Sequence, residues 1–209
     1  VNCETDFLAK DENFKTFCQE VLSYCLENDS KSIEEISDDL ESERQSLVQK
    51  VGENVIIRKK ESIGGDNLYS YIHSNGKVGA LVSLKDDNEE LGKDIAMHVT
   101  ASNPKFLSPE VVDSETIEKE KQILKAQVED TNKPEEIIEK MIEGRLNKFL
   151  SEISLLKQPF VKDPSTSIEN ILNHHKNSIV EFTRIEVGEG IEVEQKDFAS
   201  EVQAQLQNS

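Results

Sequence analysis

The chain contains no tryptophan and only 5% aromatic residues, so whatever core it buries must be largely aliphatic. Cysteine is scarce as well: Cys3, Cys18 and Cys25 are the only three, and no C-x-x-C pair occurs among them. That pattern excludes a disulfide framework and a cysteine zinc site, and it fits a reducing compartment, which for this chain is expected to be the cytoplasm. Basic residues are outnumbered, 24 against 42 acidic, for a net charge of −18. Such an acid excess argues against direct nucleic-acid binding, which draws on clustered Lys and Arg. It suits a chain whose partners are other proteins. Long apolar runs are missing too. The longest, around VGALVSL at 78–84, falls far short of a membrane span, and no signal-peptide pattern appears. The first residue is Val and already lies in a strand-like segment, so an upstream piece is expected.

The motifs of common chemistries are also lacking. No glycine-rich loop ends in Lys-Ser/Thr, so nothing would cradle a nucleotide's phosphates; GGDNLYS and GEGIEVEQK have the wrong spacing. The stretch DDNEELGKD (86–94) resembles a calcium loop only superficially, because Leu91 occupies the sharp turn that needs glycine. His73, His98, His174 and His175 fall in no metal-binding spacing, and solvated or internally satisfied imidazoles are expected for the last three. No Ser or Cys stands in a nucleophile motif, and Cys18 and Cys25, seven apart, read as small hydrophobes on a helix. With 42 carboxylates, acid pairs arise by chance and read as a solvated surface. Nothing points to an enzyme, a metal or a cofactor.

What is present is a mixed α+β pattern. Residues 11–28 predict a helix, with Asp11 as N-cap and Phe14, Phe17, Val21 and Cys25 recurring at helical spacing. A second helix is predicted over 33–50, closed by Gly52. Strands are predicted at 54–59, 68–73 and 77–84, the last two joined by Ser74-Asn75-Gly76, a strong hairpin signal. Helices follow at 88–102, 114–129 and 134–153, with Pro134 suited to a first turn. Ile138, Ile142, Leu146, Phe149 and Ile153 form a narrow apolar seam, as in an antiparallel helical hairpin that lies on the body or protrudes as an arm. A short helix (166–175), a strand (179–187) and a last helix (197–207) complete the pattern. Strands on both sides of the hairpin imply that the flanking segments pair.

Six stretches then occur in order: TDFLAK (5–10), VGENVIIRK (51–59), IAMHVTASNP (95–104), EGRLNKF (143–149), QPFVKDPS (158–165) and EVGEGI (186–191). Together they closely resemble the translation elongation factor Ts family, essentially from end to end. Full-length members begin with a small helical domain that is absent from this sequence. The resemblance implies two subdomains with small antiparallel sheets packed by helices. Residues 1–66 would form the N-terminal one; 67–105 and 155–189 would form the C-terminal one. A coiled-coil hairpin at 106–154 would interrupt the latter, and 190–209 would be a C-terminal module.

The resemblance also implies the activity, guanine-nucleotide exchange on elongation factor Tu. Phe7, of the Thr5-Asp6-Phe7-Leu8 motif, would enter near the partner's nucleotide site and promote release of GDP and Mg²⁺. Asp6 would make polar contacts beside it, and Val51, Gly52 and His73 match further positions that touch the same nucleotide domain. Leu8 stands where Val is frequent in the family, and HSNGK surrounds His73 in a loop that varies. A homodimer, or a 2:2 complex with Tu, is compatible with this reading.

Simpler readings of the same residues stay open. Phe7 precedes a helix N-cap and could staple back onto its own helix. Gly52 could be an ordinary C-cap and His73 a solvated hairpin residue. The chain as a whole could be a non-catalytic interaction or dimerisation protein that works through its helical hairpin.

Overall fold

Asn2–Cys3 form a short strand, β1, paired antiparallel with β2 (Val55–Ile56) in the register Asn2↔Ile56 and Cys3↔Val55. The computed structural model describes residues 1–128 and 134–191. The predicted last helix at 197–207 and most of the 190–209 module lie outside the described residues. Between β1 and β2 run three helices. The first, α1 (Glu12–Glu27), starts where predicted, because the Asp11 carboxylate accepts the Asn13 backbone N–H at 2.8 Å.

The predicted helix over 33–50 is two helices, α2 (Ile33–Asp39) and α3 (Glu41–Val51). They meet at buried Leu40, whose φ of −103° and ψ of 12° leave the helical basin. The break places Glu41 and Glu43 favourably in the first turn of a new helix, while Asp38 and Asp39 end α2 at the unfavourable end of its dipole. Ser32 starts α2 with a reciprocal capping box to Glu35. These helices bury Leu8, Phe14, Phe17, Val21, Ile36, Leu40 and Leu47 against Val55 and Ile57, a core of its own in the N-terminal part of the chain. The strand predicted over 54–59 is shorter than expected, because β1 offers only two residues to pair with it.

The second core lies under a three-stranded antiparallel sheet in the order β3–β4–β7, built from β3 (Asn67–Ile72), β4 (Val78–Leu84) and β7 (Ile179–Glu186). Pairing of β7 with β4 brings segments from either side of the helical pair into one sheet, as the sequence pattern implied. Residues 73–77 make the predicted turn, with Gly76 at a φ of +68° and its N–H bonded to the His73 carbonyl at 2.8 Å. Helix α4 (Glu89–Ser102) covers one face of the sheet, burying Leu91, Ile95, Ala96 and Val99 against Tyr69, Ala80, Val82 and Leu84. Close approach depends on Gly92, where a Cβ would fall 2.1 Å from the Tyr69 ring.

Helices α5 (Ser114–Val128) and α6 (Glu135–Ile153) pack side by side along the seam, with Leu124, Val128 and Leu146 buried. Pro134 is the N-cap of α6 rather than a residue of its first turn. The end of α6 is tied to the sheet core, since Lys105 and Phe106 donate to the Ile153 carbonyl. A hairpin absent from the sequence reading, β5 (Pro159–Phe160) with β6 (Asp163–Ser167), occupies the start of the helix predicted over 166–175. Ser167 then caps a shorter α7 (Ile168–His174) by accepting from Asn170 N–H. Among the described residues no helix is long and apolar enough to cross a membrane. The fold is α+β.

Candidate partner-binding site

Thr5 to Lys10 form a tight turn at the end of β1, and the turn decides what Phe7 does. Residues 8–10 are one turn of 3-10 helix, closed by Lys10 N–H to the Phe7 carbonyl and Asp11 N–H to the Leu8 carbonyl. The Thr5 hydroxyl accepts Leu8 N–H at 3.2 Å and so caps the turn. Phe7 and Leu8 consequently point opposite ways. Leu8 is 5% exposed and joins the N-terminal core, whereas Phe7 is 88% exposed. The staple reading of Phe7 is therefore wrong in this structure: its ring leaves the helix instead of packing on it. The Leu8 side chain packs into this chain's own core and so anchors the turn from within.

Two long-range contacts hold the turn. Glu53 accepts the Thr5 hydroxyl through both carboxylate oxygens, at 2.8 and 3.0 Å, and accepts Thr5 N–H at 3.1 Å. Lys77, the last residue of the β3–β4 turn, lies 2.8 Å from the Asp6 carboxylate. The Lys77 hydrogen bond, followed by its charge, lowers the Asp6 pKa below the ordinary carboxylate range. Val51 ends α3, and Gly52 caps it in the left-handed conformation at a φ of +77°, with open space around its missing Cβ. His73 opens the turn at the tip of β3, exposed, its N–H on the Val78 carbonyl at 2.9 Å.

The structure thus connects Thr5, Asp6 and Phe7 to the Val51–Gly52 corner through Glu53, and to the His73 turn through Lys77. Glu53 and Lys77 were not singled out from the sequence. Glu53 directly follows Val51-Gly52 in VGENVIIRK, but its partner is 48 residues away, so no local pattern marks it. Among the described residues no group of three His, Cys, Asp or Glu is arranged to hold a metal ion.

His98 illustrates the expected satisfied histidine. It is fully buried beside Phe160; Nδ1 accepts Val161 N–H at 3.2 Å, so Nε2 carries the proton it donates to Gln158 Oε1 at 2.9 Å.

Residues 4–189 match the sequence model of the family described as Elongation factor TS. The chain belongs to the elongation factor Ts family. It is 47% identical over 207 residues to elongation factor Ts of Hahella chejuensis, covering 99% of this chain and 72% of that relative. Identity to elongation factor Ts of Marinobacter nauticus is 46% over 205 residues, covering 98% and 71%. For elongation factor Ts of Cronobacter sakazakii it is 45% over 209 residues, covering 100% and 74%. Membership of the elongation factor Ts family makes this chain a translation elongation factor.

Proposed function

We propose that this chain is the guanine-nucleotide exchange factor for elongation factor Tu, and that Phe7 is the group it inserts near the partner's nucleotide site. The observation that carries the reading is the exposure of Phe7 beside a buried Leu8. A phenyl ring held in water by an ordered turn gains its hydrophobic free energy only when a partner covers it, roughly 1.5–3 kcal/mol, or about 10- to 100-fold in affinity. If the ring fits only a pocket rearranged away from GDP binding, that gain appears as coupling between the two ligands. The factor then weakens GDP to the same degree that GDP weakens the factor. No bond is made or broken, and no cofactor enters.

Asp6, Thr5, Val51, Gly52 and His73 complete the proposed surface, with Asp6 and His73 offering polar groups and Gly52 allowing close backbone approach. The two separate cores support a division into residues 1–66 and residues 67–105 with 155–189. The helical pair at 106–154 would then be an insertion. A second reading, association of two copies through that pair, draws on exposed Ile123 and Ile137.

Release of fluorescent GDP from Tu, with and without this chain, tests the proposal. The chain is expected to accelerate release. Phe7→Ala is expected to lower that acceleration at least ~10-fold. Its thermal midpoint is expected to stay within about 2 °C, because an exposed ring contributes little to stability. Equal acceleration by wild type and Phe7→Ala would remove Phe7 from the mechanism, and no acceleration by either would leave only the association reading.

A further inference from the structure

We infer that Glu53 is a positioning residue for the exchange reaction: it acts through Thr5 to hold Phe7 in the conformation that enters the partner. The inference rests on the reading of Phe7 as the inserted group. Its basis is the place of Glu53 in the β1–β2 ladder. The register Asn2↔Ile56 and Cys3↔Val55, continued by two residues, puts Thr5 opposite Glu53. The ladder stops at Cys3 and Val55, and the Glu53 carboxylate takes the Thr5 N–H at 3.1 Å in place of a backbone carbonyl. One side chain thus closes the end of the sheet where the chain leaves for the turn.

The same carboxylate accepts the Thr5 hydroxyl hydrogen, which leaves the hydroxyl's lone pairs for Leu8 N–H at 3.2 Å. A directional chain results, from carboxylate to hydroxyl to the first amide of the 3-10 turn, and each bond polarises the next. Thr5 O also accepts Ala9 N–H at 3.2 Å. Phe7 therefore lies between two fixed points, Thr5 hydrogen-bonded to Glu53 and Leu8 buried in the core, while Asp6 between them is held by Lys77.

The mount is rigid because Glu53 directly follows the Gly52 cap, whose N–H closes α3 on the Val48 carbonyl at 2.9 Å. Without the carboxylate the turn gains conformers, and the ring must be ordered again at each encounter. That cost falls on productive insertion and leaves the fold intact.

Double-mutant cycles in the GDP-release assay separate this role from a direct contact with Tu. Glu53→Ala and Thr5→Val are each expected to lower the exchange rate at limiting factor about 5- to 10-fold. Glu53→Gln, which keeps one acceptor oxygen, is expected to fall between Ala and wild type. The Thr5→Val/Glu53→Ala double variant is expected to be no slower than the slower single. In a Phe7→Ala background, Glu53→Ala is expected to cost less than about twofold, because there is no ring left to position.

A full 5- to 10-fold loss on top of Phe7→Ala would show that Glu53 touches the partner itself, and would overturn the inference while leaving Phe7 in place. Wild-type exchange by both Glu53→Ala and Glu53→Gln would overturn it equally. Wild-type exchange by Phe7→Ala alone would instead remove the underlying reading.

Discussion

The ammonium of Lys77 lies 2.8 Å from the carboxylate of Asp6, and this one ion pair joins the N-terminal turn to the β3–β4 hairpin. Both side chains are largely in solvent, so the pair orders the surface more than it stabilises the fold, and salt weakens it. The Asp6 pKa lies below the ordinary carboxylate range chiefly because Lys77 bonds the ionised form. Lys77→Met should raise that pKa toward the ordinary value in a carbon-detected NMR titration, and high salt should raise it in the wild type. An Asp6 that titrates identically in both proteins would mean that the pair does not persist in solution.

Phe7 and Leu8 should respond in opposite ways to the same substitution. Leu8→Ala deletes buried side chain from the N-terminal core and should cost ~2–5 kcal/mol in urea unfolding. Phe7→Ala should leave the urea midpoint almost unchanged and reduce exchange instead. If the two variants lost similar stability, the turn would be seated differently from the arrangement described above.

Gly92→Ala places a methyl group 2.1 Å from the Tyr69 ring, which has nowhere to retreat. The Tyr69 hydroxyl donates to Asp87 at 2.5 Å and accepts Asn88 N–H at 2.8 Å, at the start of α4. Overpacking should cost ~1–3 kcal/mol. A urea midpoint equal to wild type would show that α4 does not approach β3 this closely.

His98 should make the protein acid-sensitive before its carboxylates titrate. Burial is the main cause of its lowered pKa, against a smaller opposing effect of the Gln158 bond. The folded-state pKa therefore lies below the unfolded value of about 6.5. Between those two values the unfolded chain binds more protons, so stability rises with pH there. The contribution is full above the unfolded pKa and is lost as pH falls through the folded one. Protonation would also set an Nδ1–H against Val161 N–H. Urea midpoints should drop between pH 7.5 and 5.5 in the wild type, and His98→Asn should show a flatter profile over that window. Parallel profiles would assign the pH dependence to other groups.

How much of this was legible without coordinates depended on whether the deciding interaction was local. Asp11 as the cap of α1, the Ser74–Gly76 turn, Gly52 after α3 and the apolar seam of α6 are each written within a few residues, and each appears close to its predicted place. The break at Leu40 is not legible, since neither glycine nor proline marks it; β5–β6 gives no strand signal because β5 has only two residues and β6, DPSTS, carries no alternating apolar side chains.

The sequence alone determined the family, through six ordered motifs, and with it the α+β class. Tertiary structure decided which of two adjacent apolar residues is buried and which is exposed. Phe7 and Leu8 are equally apolar, and helical periodicity would have put Phe7 on the buried side with Phe14. What turns Leu8 inward and Phe7 outward is a 3-10 turn capped by Thr5, and Thr5 is held by Glu53, 48 residues away. Only the folded ladder brings that carboxylate within bonding distance, so local periodicity by itself does not show which of the two side chains is buried.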